Sequence, residues 1–143
     1  MSVRTGRCLC GEVSYRIDAE PVVARVCWCR DCQRFASNGS VNAVFPRAAL
    51  AIAGEPASYV SVADSGNRLT RYFCRNCGSH LFAESTGRPG FAVVRVGTLD
   101  EPSSIAPSAN IWAASAPSWA CLDDSLTRVE RQPAAPSSPP ATS

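Results

Sequence analysis

There is no lysine among the 143 residues, so all fourteen basic residues are arginines and no Schiff base forms on a lysine amine. Arginine keeps its charge, and its planar fork can grip a carboxylate in bidentate fashion. No apolar run reaches the roughly 18–20 residues of a membrane-spanning helix, so no membrane partner is expected. The start, MSVRTGRCLCGEV, lacks the apolar core of a secretory signal, and a cytoplasmic, thiol-reducing setting is expected. No basic run exists to hold nucleic acid, so no such partner is expected. Histidine is almost missing: His80 is the only one. It sits on an expected strand, where it reads as a supporting or surface residue.

Against these absences stand eight cysteines, and in a reducing setting they point to metal more than to disulfides. They also change the charge. The formal value is +2 with neutral thiols. Four thiolates on one Zn²⁺ and three on another bring the sum to about −1, because coordinating thiols are deprotonated.

The chain reads as mainly β with little helix. EVSYRIDA alternates Val13, Tyr15 and Ile17 against Ser14 and Arg16, the signature of a half-buried strand. PVVARV, SVNAVF, ASYVSV, RLTRYF, SHLFAE and FAVVRV read as further strands. RDCQRFAS has room for one or two helical turns, and PRAALAIAGEP for a turn and then a bend at Gly54. Residues 1–131 are expected to form one domain. Residues 132–143, rich in Pro, Ala and Ser, are expected to be a disordered tail.

The cysteines fall into Cys8/Cys10, Cys74/Cys77, the triplet Cys27/Cys29/Cys32, and Cys121. Both pairs are followed by glycine, which permits the tight turn of a metal knuckle. Cys8, Cys10, Cys74 and Cys77 therefore make a closed tetrahedral zinc site of structural type. The triplet leaves a fourth position open, as catalytic zinc sites do. A soft thiolate-bound metal accepts another thiolate, so a small thiol could fill the vacancy. Arg30, Arg34 and Arg75 lie near the cysteines in sequence and are candidates to hold its carboxylates. Two alternatives stay open: Cys121 closing the triplet, and Cys29/Cys32 as a redox pair. Trp112 and Trp119 read as core or pocket-wall aromatics, Phe73 and Phe82 as packing beneath the zinc hairpin. Asp31 reads as a cap of the short helix, and Asp100 as closing a turn before Pro102.

The succession GRCLCGEVSY, CWCRDCQRF, RYFCRNCGSHLF and RVGTLDEP resembles the glutathione-dependent formaldehyde-activating enzymes and their centromere-protein-V relatives. The resemblance covers roughly residues 6–131. It implies several small coiled β-sheets around zinc, similar to methionine sulfoxide reductase B. It implies structural zinc at Cys8, Cys10, Cys74 and Cys77, and a second zinc at Cys27, Cys29 and Cys32 where glutathione binds. The implied activity is that of a carbon–sulfur lyase working in the synthetic direction, joining glutathione to formaldehyde as S-hydroxymethylglutathione. A non-catalytic zinc-stabilised binding module, or a thiol carrier without aldehyde chemistry, is the other class of function. Two departures stand out. Trp28 replaces the usual His within the triplet, as an expected aromatic wall of the pocket, and Asn110 replaces the His of a His-Ile pair.

Overall fold

The computed structural model describes residues 3–63 and 65–134, and in them the short alternating runs become eleven strands and one short helix. In chain order these are β1 (Arg4–Arg7), β2 (Ser14–Ile17), β3 (Val23–Cys27), α1 (Arg30–Ala36), β4 (Ser40–Pro46) and β5 (Leu50–Ala53). They continue with β6 (Ala57–Val62), β7 (Arg68–Phe73), β8 (His80–Ser85), β9 (Phe91–Arg95), β10 (Ala109–Ile111) and β11 (Thr127–Arg128). The protein is mainly β, as the alternation implies. Of the tail expected from residue 132, residues 135–143 lie outside the described residues.

β1, β2 and β5 make a three-stranded antiparallel sheet in that order. The other eight strands form one sheet, β11-β10-β3-β4-β9-β8-β7-β6. Its pairings are antiparallel except for β10, which runs parallel to both β3 and β11. Four strands escape the alternation reading, β1, β5, β10 and the two-residue β11. β1 contains Gly6, against which the Tyr15 ring lies so closely that a Cβ would come within 2.3 Å. β5 follows a 3₁₀ turn and ends at Gly54, whose φ is 90°. β10 has three residues, too few to show a period.

Register assigns every side chain of the large sheet to a face, because side chains alternate along a strand and paired residues share a side. Ala24, Ala43, Val94, Phe82 and Tyr72 are linked in one row across β3, β4, β9, β8 and β7. Together with Phe45, Leu81 and Ile17 this row belongs to the main core. The Tyr72 and Phe82 rings stack at 4.4 Å between centroids. The opposite face carries two other rows, Arg25–Asn42–Arg95 and Val44–Val93–Ala83–Arg71. Helix α1 packs its Phe35 ring 5.1 Å from the Arg71 guanidinium on that second face.

Phe45 is wholly buried in the core. Phe45→Ala is expected to cost about 3–5 kcal/mol, the range for a large aromatic truncated in a core that cannot collapse around the void. Urea unfolding of the metal-loaded protein measures it as a lowered midpoint at unchanged slope.

Candidate metal centres and the arginine-lined cavity

The first cluster joins the β1–β2 turn to the β7–β8 turn. The Cys8 N–H donates to Val13 O at 3.0 Å, and Cys74 N–H donates to Ser79 O at 2.9 Å, closing two matched loops. Gly11 and Gly78 sit in each loop with φ of 83° and 79°, left-handed values that glycine adopts without strain. Folded back in this way, the chain aims N–H groups at sulfur: Val13 N–H at Cys8 Sγ (3.3 Å) and Asn76 N–H at Cys74 Sγ (3.4 Å). The four sulfurs lie within 4.8 Å of one another. Cys8 to Cys10 is 3.6 Å and Cys10 to Cys74 is 3.7 Å. A zinc tetrahedron with bonds of about 2.3 Å has sulfur–sulfur edges of about 3.8 Å, whereas a disulfide is about 2.05 Å. The donor set and its spacing fit zinc. The Ser79 hydroxyl, 3.2 Å from Cys77 Sγ, is the first cause pulling that thiol down to about 5, toward the thiolate a metal needs.

The second cluster is built where β3 ends and α1 begins. Cys27 is the last residue of β3 and pairs with Ile111 of β10. Cys29 is the N-cap of α1, its sulfur accepting the Cys32 N–H at 3.3 Å. One helical turn therefore brings Cys32 back beside Cys29, and all three sulfurs lie within 4.8 Å. Cys27 and Cys32 are buried and Cys29 is half-buried. Hydrogen bonds from the Cys27 and Cys32 thiols, then the Cys32 N–H and the Arg71 charge, hold Cys29 well below the usual thiol range. Among the described residues no fourth ligand joins the cluster. Cys121 is exposed and stands outside it.

These sulfurs open into a cavity of about 90 Å³ on the second face of the large sheet. Four guanidinium groups line it, those of Arg25, Arg71, Arg88 and Arg95, with Trp112 on one wall. Arg95 donates through Nε to His80 Nδ1 at 3.2 Å and through Nη1 to Asn42 Oδ1. Arg71 donates to Ser61 Oγ at 2.9 Å and reaches Asp31 at 3.5 Å, while its buried Nε has no partner. A wider cleft of about 360 Å³ beside Arg4, Asp100 and Glu101 contains no cysteine.

The geometry corrects the readings of Trp28, Trp119 and Asp100, and it places the other expected residues. Arg30, Arg34 and Arg75 are all exposed, and none lines the cavity. They are near the cysteines in sequence, whereas the lining arginines arrive from four separated segments through cross-strand register. A signal existed: Arg25 has the parity of Cys27 on β3, and Arg95 has the parity of Phe91 and Val93 on β9. Trp28 forms no pocket wall. Its ring is buried against Gly39, and its Nε1–H donates to Asn110 Oδ1 at 3.1 Å, with Asn110 buried too. The two departures from the family pattern are thus hydrogen-bonded partners, an indole donor matched to an amide acceptor. Trp112 takes the wall, and Trp119 is largely exposed, outside the core. Asp31 sits in the first turn of α1 and pairs with Arg71. Asp100 does more than close a turn, since it accepts from Thr5 Oγ1 at 2.6 Å and ties β1 to the loop before Pro102.

His80 is held neutral. Burial, and then the charges of Arg95 and Arg71, push its pKa down to about 3. A base that is harder to protonate folded than unfolded loses stability as pH falls from about 6.5 toward 3. His80→Gln is therefore expected to show a shallower loss of stability over that window than the parent. The difference in slope is at most about 1.4 kcal/mol per pH unit. Denaturant midpoints at pH 6.5, 5.5 and 4.5 check it.

A mainly β domain carrying one cysteine quartet and one cysteine triplet, each able to hold a metal ion, defines the class. The chain belongs to the family of glutathione-dependent formaldehyde-activating enzymes, whose model matches residues 3–115. The fold is also similar to the crystal structure of a Rhodobacter sphaeroides protein, with a TM-score of 0.57 and 23% identity over 67% of this chain and 87% of that one. No curated protein matches the chain.

Proposed function

We propose that this chain binds a small thiol, glutathione by its family's description, at Cys27, Cys29 and Cys32 and adds the sulfur to a small aldehyde. With formaldehyde the product is S-hydroxymethylglutathione, made by a carbon–sulfur lyase running in the synthetic direction. The observation that carries this reading is an open thiolate triplet inside a cationic cavity. In this reading Cys8, Cys10, Cys74 and Cys77 hold a structural zinc, and the triplet holds a second. A zinc ion at the triplet supplies a fourth position at which a thiol ionises near neutral pH.

The chain's own residues supply the rest. The fold presents the three cysteine sulfurs to the same cavity that the four arginines line. Arg71 and Arg95 stabilise negative charge there, since an opposite charge nearby favours the ionised form. The thiol proton leaves to solvent, the sulfur lone pair forms the C–S bond, and the carbonyl oxygen takes up one proton. Nothing is oxidised. Arg30 and Arg34, exposed on α1, remain candidates for the charged ends of glutathione, beside the four arginines that line the cavity. In this reading one domain takes residues 1–131 as its extent and works in a reducing cytoplasm.

Cobalt substitution tests the reading, because the visible spectrum reports thiolate ligands and changes at an open position. Glutathione is expected to give a saturable shift. A spectrum indifferent to glutathione overturns thiol binding at the triplet.

A further inference from the structure

Among the four arginines of the cavity, Arg71 is placed differently from the rest. It lies in the middle of β7, opposite Ala83, and register turns it to the face that carries the cavity. Only 4% of it is exposed. Two of its three nitrogens have partners: Nη1 donates to Ser61 Oγ at 2.9 Å, and Nη2 reaches Asp31 Oδ2 at 3.5 Å. Its Cζ also lies over the Phe35 ring, 5.1 Å from the centroid. Held from three sides, the guanidinium has a fixed direction for its Nε–H. Among the described residues that Nε is the one buried side-chain donor without a partner. An orphaned buried donor costs free energy and is rare in native proteins, so its retention calls for a reason.

The reason lies in what shares the space. Asp31, which meets Nη2, stands between Cys29 and Cys32 in the first turn of α1. The contact ties Arg71 to the segment that presents the triplet, and Arg71 lines the same cavity as the three cysteines. We infer that the Arg71 Nε–H is an oxyanion donor, receiving the carbonyl oxygen of the aldehyde while the thiol's sulfur attacks the carbon. This rests on the proposed thiol addition and names a catalytic residue for it. The sulfur lone pair forms the C–S bond, the π pair moves to oxygen, and the oxygen takes one proton from solvent. Charge grows on an oxygen that was neutral before the step. A fixed donor aimed at it therefore stabilises the transition state more than the substrate. Arginine keeps its own proton, so Arg71 acts by hydrogen bond and charge alone.

A carboxylate of the thiol is the other oxygen that could meet this N–H, and the geometry favours the aldehyde. Carboxylates are gripped best by two parallel N–H groups of one fork. Each Nη of Arg71 already has a partner, which leaves it one unclaimed nitrogen. Arg25 and Arg88 line the cavity too, and neither makes a side-chain hydrogen bond among the described residues, so whole forks are left for carboxylates. Arg95 is tied through Nε to His80 and through Nη1 to Asn42.

The test uses the full zinc-loaded chain and begins with a readout that is not activity. Proton–nitrogen NMR follows the Arg71 Nε–H, assigned through the bonded carbons of its own side chain. A downfield shift that needs glutathione and formaldehyde together is expected. A shift completed by glutathione alone assigns the donor to a carboxylate and overturns the proposal, and so does a resonance that moves with neither. Exchange NMR then measures adduct formation above the uncatalysed background. Arg71→Met and Arg71→Lys are each expected to lower kcat by about 10²–10³-fold, the range for one oxyanion donor, with little change in the KM for glutathione. Ser61→Ala, which frees Nη1 and leaves the Nε–H in place, is expected to keep kcat near that of the parent. An Arg71→Met effect confined to the KM for glutathione overturns the proposal, as does a Ser61→Ala loss as large as that of Arg71→Met. The cobalt spectrum keeps the two readings apart. A glutathione response retained in Arg71→Met shows the fold and the triplet intact, whereas no response in the parent overturns thiol binding itself.

Discussion

Cys74→Ser is expected to leave the chain largely unfolded under conditions where the parent is stable. Cys74 is 1% exposed, at the junction where the β7–β8 turn meets the β1–β2 turn. Its sulfur lies 3.7 Å from that of Cys10 and accepts the Asn76 N–H, so one atom holds two segments distant in sequence. Under the quartet sits the main core, to which Cys8 and Cys74 themselves belong. Binding of a structural zinc contributes roughly 10–16 kcal/mol of folding free energy at neutral pH. That is of the same size as the roughly 5–15 kcal/mol total stability of a domain like this one. Removing one of four thiolates removes most of that term and leaves a serine hydroxyl in apolar surroundings. Circular dichroism and a metal count per chain make the measurement, and a chelator on the parent should reproduce the loss. A folded Cys74→Ser protein with one metal remaining would show that the quartet is not what holds the two turns together.

The reason the quartet was legible in the sequence is local. In RCLCGEV and FCRNCGSHL the cysteines and the glycine with its left-handed φ are neighbours, so the knuckle is written within one turn. The strands were legible for a similar reason: alternation over five or six residues, as in Ala57–Val62 and Arg68–Phe73, is a short-range pattern. What the sequence did not show was anything that depends on register. Arg25, Asn42 and Arg95 stand in one row because β3, β4 and β9 pair with Arg25 opposite Asn42 and Asn42 opposite Arg95. A slip of one residue in any of these strands would send its member of the row to the other face. Sequence proximity favoured Arg30, Arg34 and Arg75 instead, and each ended on the surface. The Trp28–Asn110 hydrogen bond was hidden in the same way. It needs the parallel pairing of β10 with β3, and the three residues of β10 carry no period to announce it.

Cys29→Ser is expected to give the opposite outcome to Cys74→Ser: a folded protein that holds one metal and no longer handles thiols. Cys29 caps α1, its sulfur accepting the Cys32 N–H, and serine is a good N-cap that can accept the same bond. Gln33 also anchors the helix independently, donating to Trp28 O at 2.6 Å and Ser115 O at 3.0 Å. The substitution should therefore cost about 1 kcal/mol of stability or less. Its effect on the site is large, because two remaining thiolates make a weak metal site and Cys29 is the sulfur that Arg71 and the helix N–H favour as thiolate. Metal analysis should fall from two ions per chain to one. Glutathione should cease to shift the cobalt spectrum, and adduct formation should drop by more than about a hundredfold, beyond what loss of a supporting contact produces. Two metals retained with an intact glutathione response would remove the triplet from the chemistry. Unfolding as severe as in Cys74→Ser would instead make both clusters structural, and the cavity with its four arginines would then need another purpose.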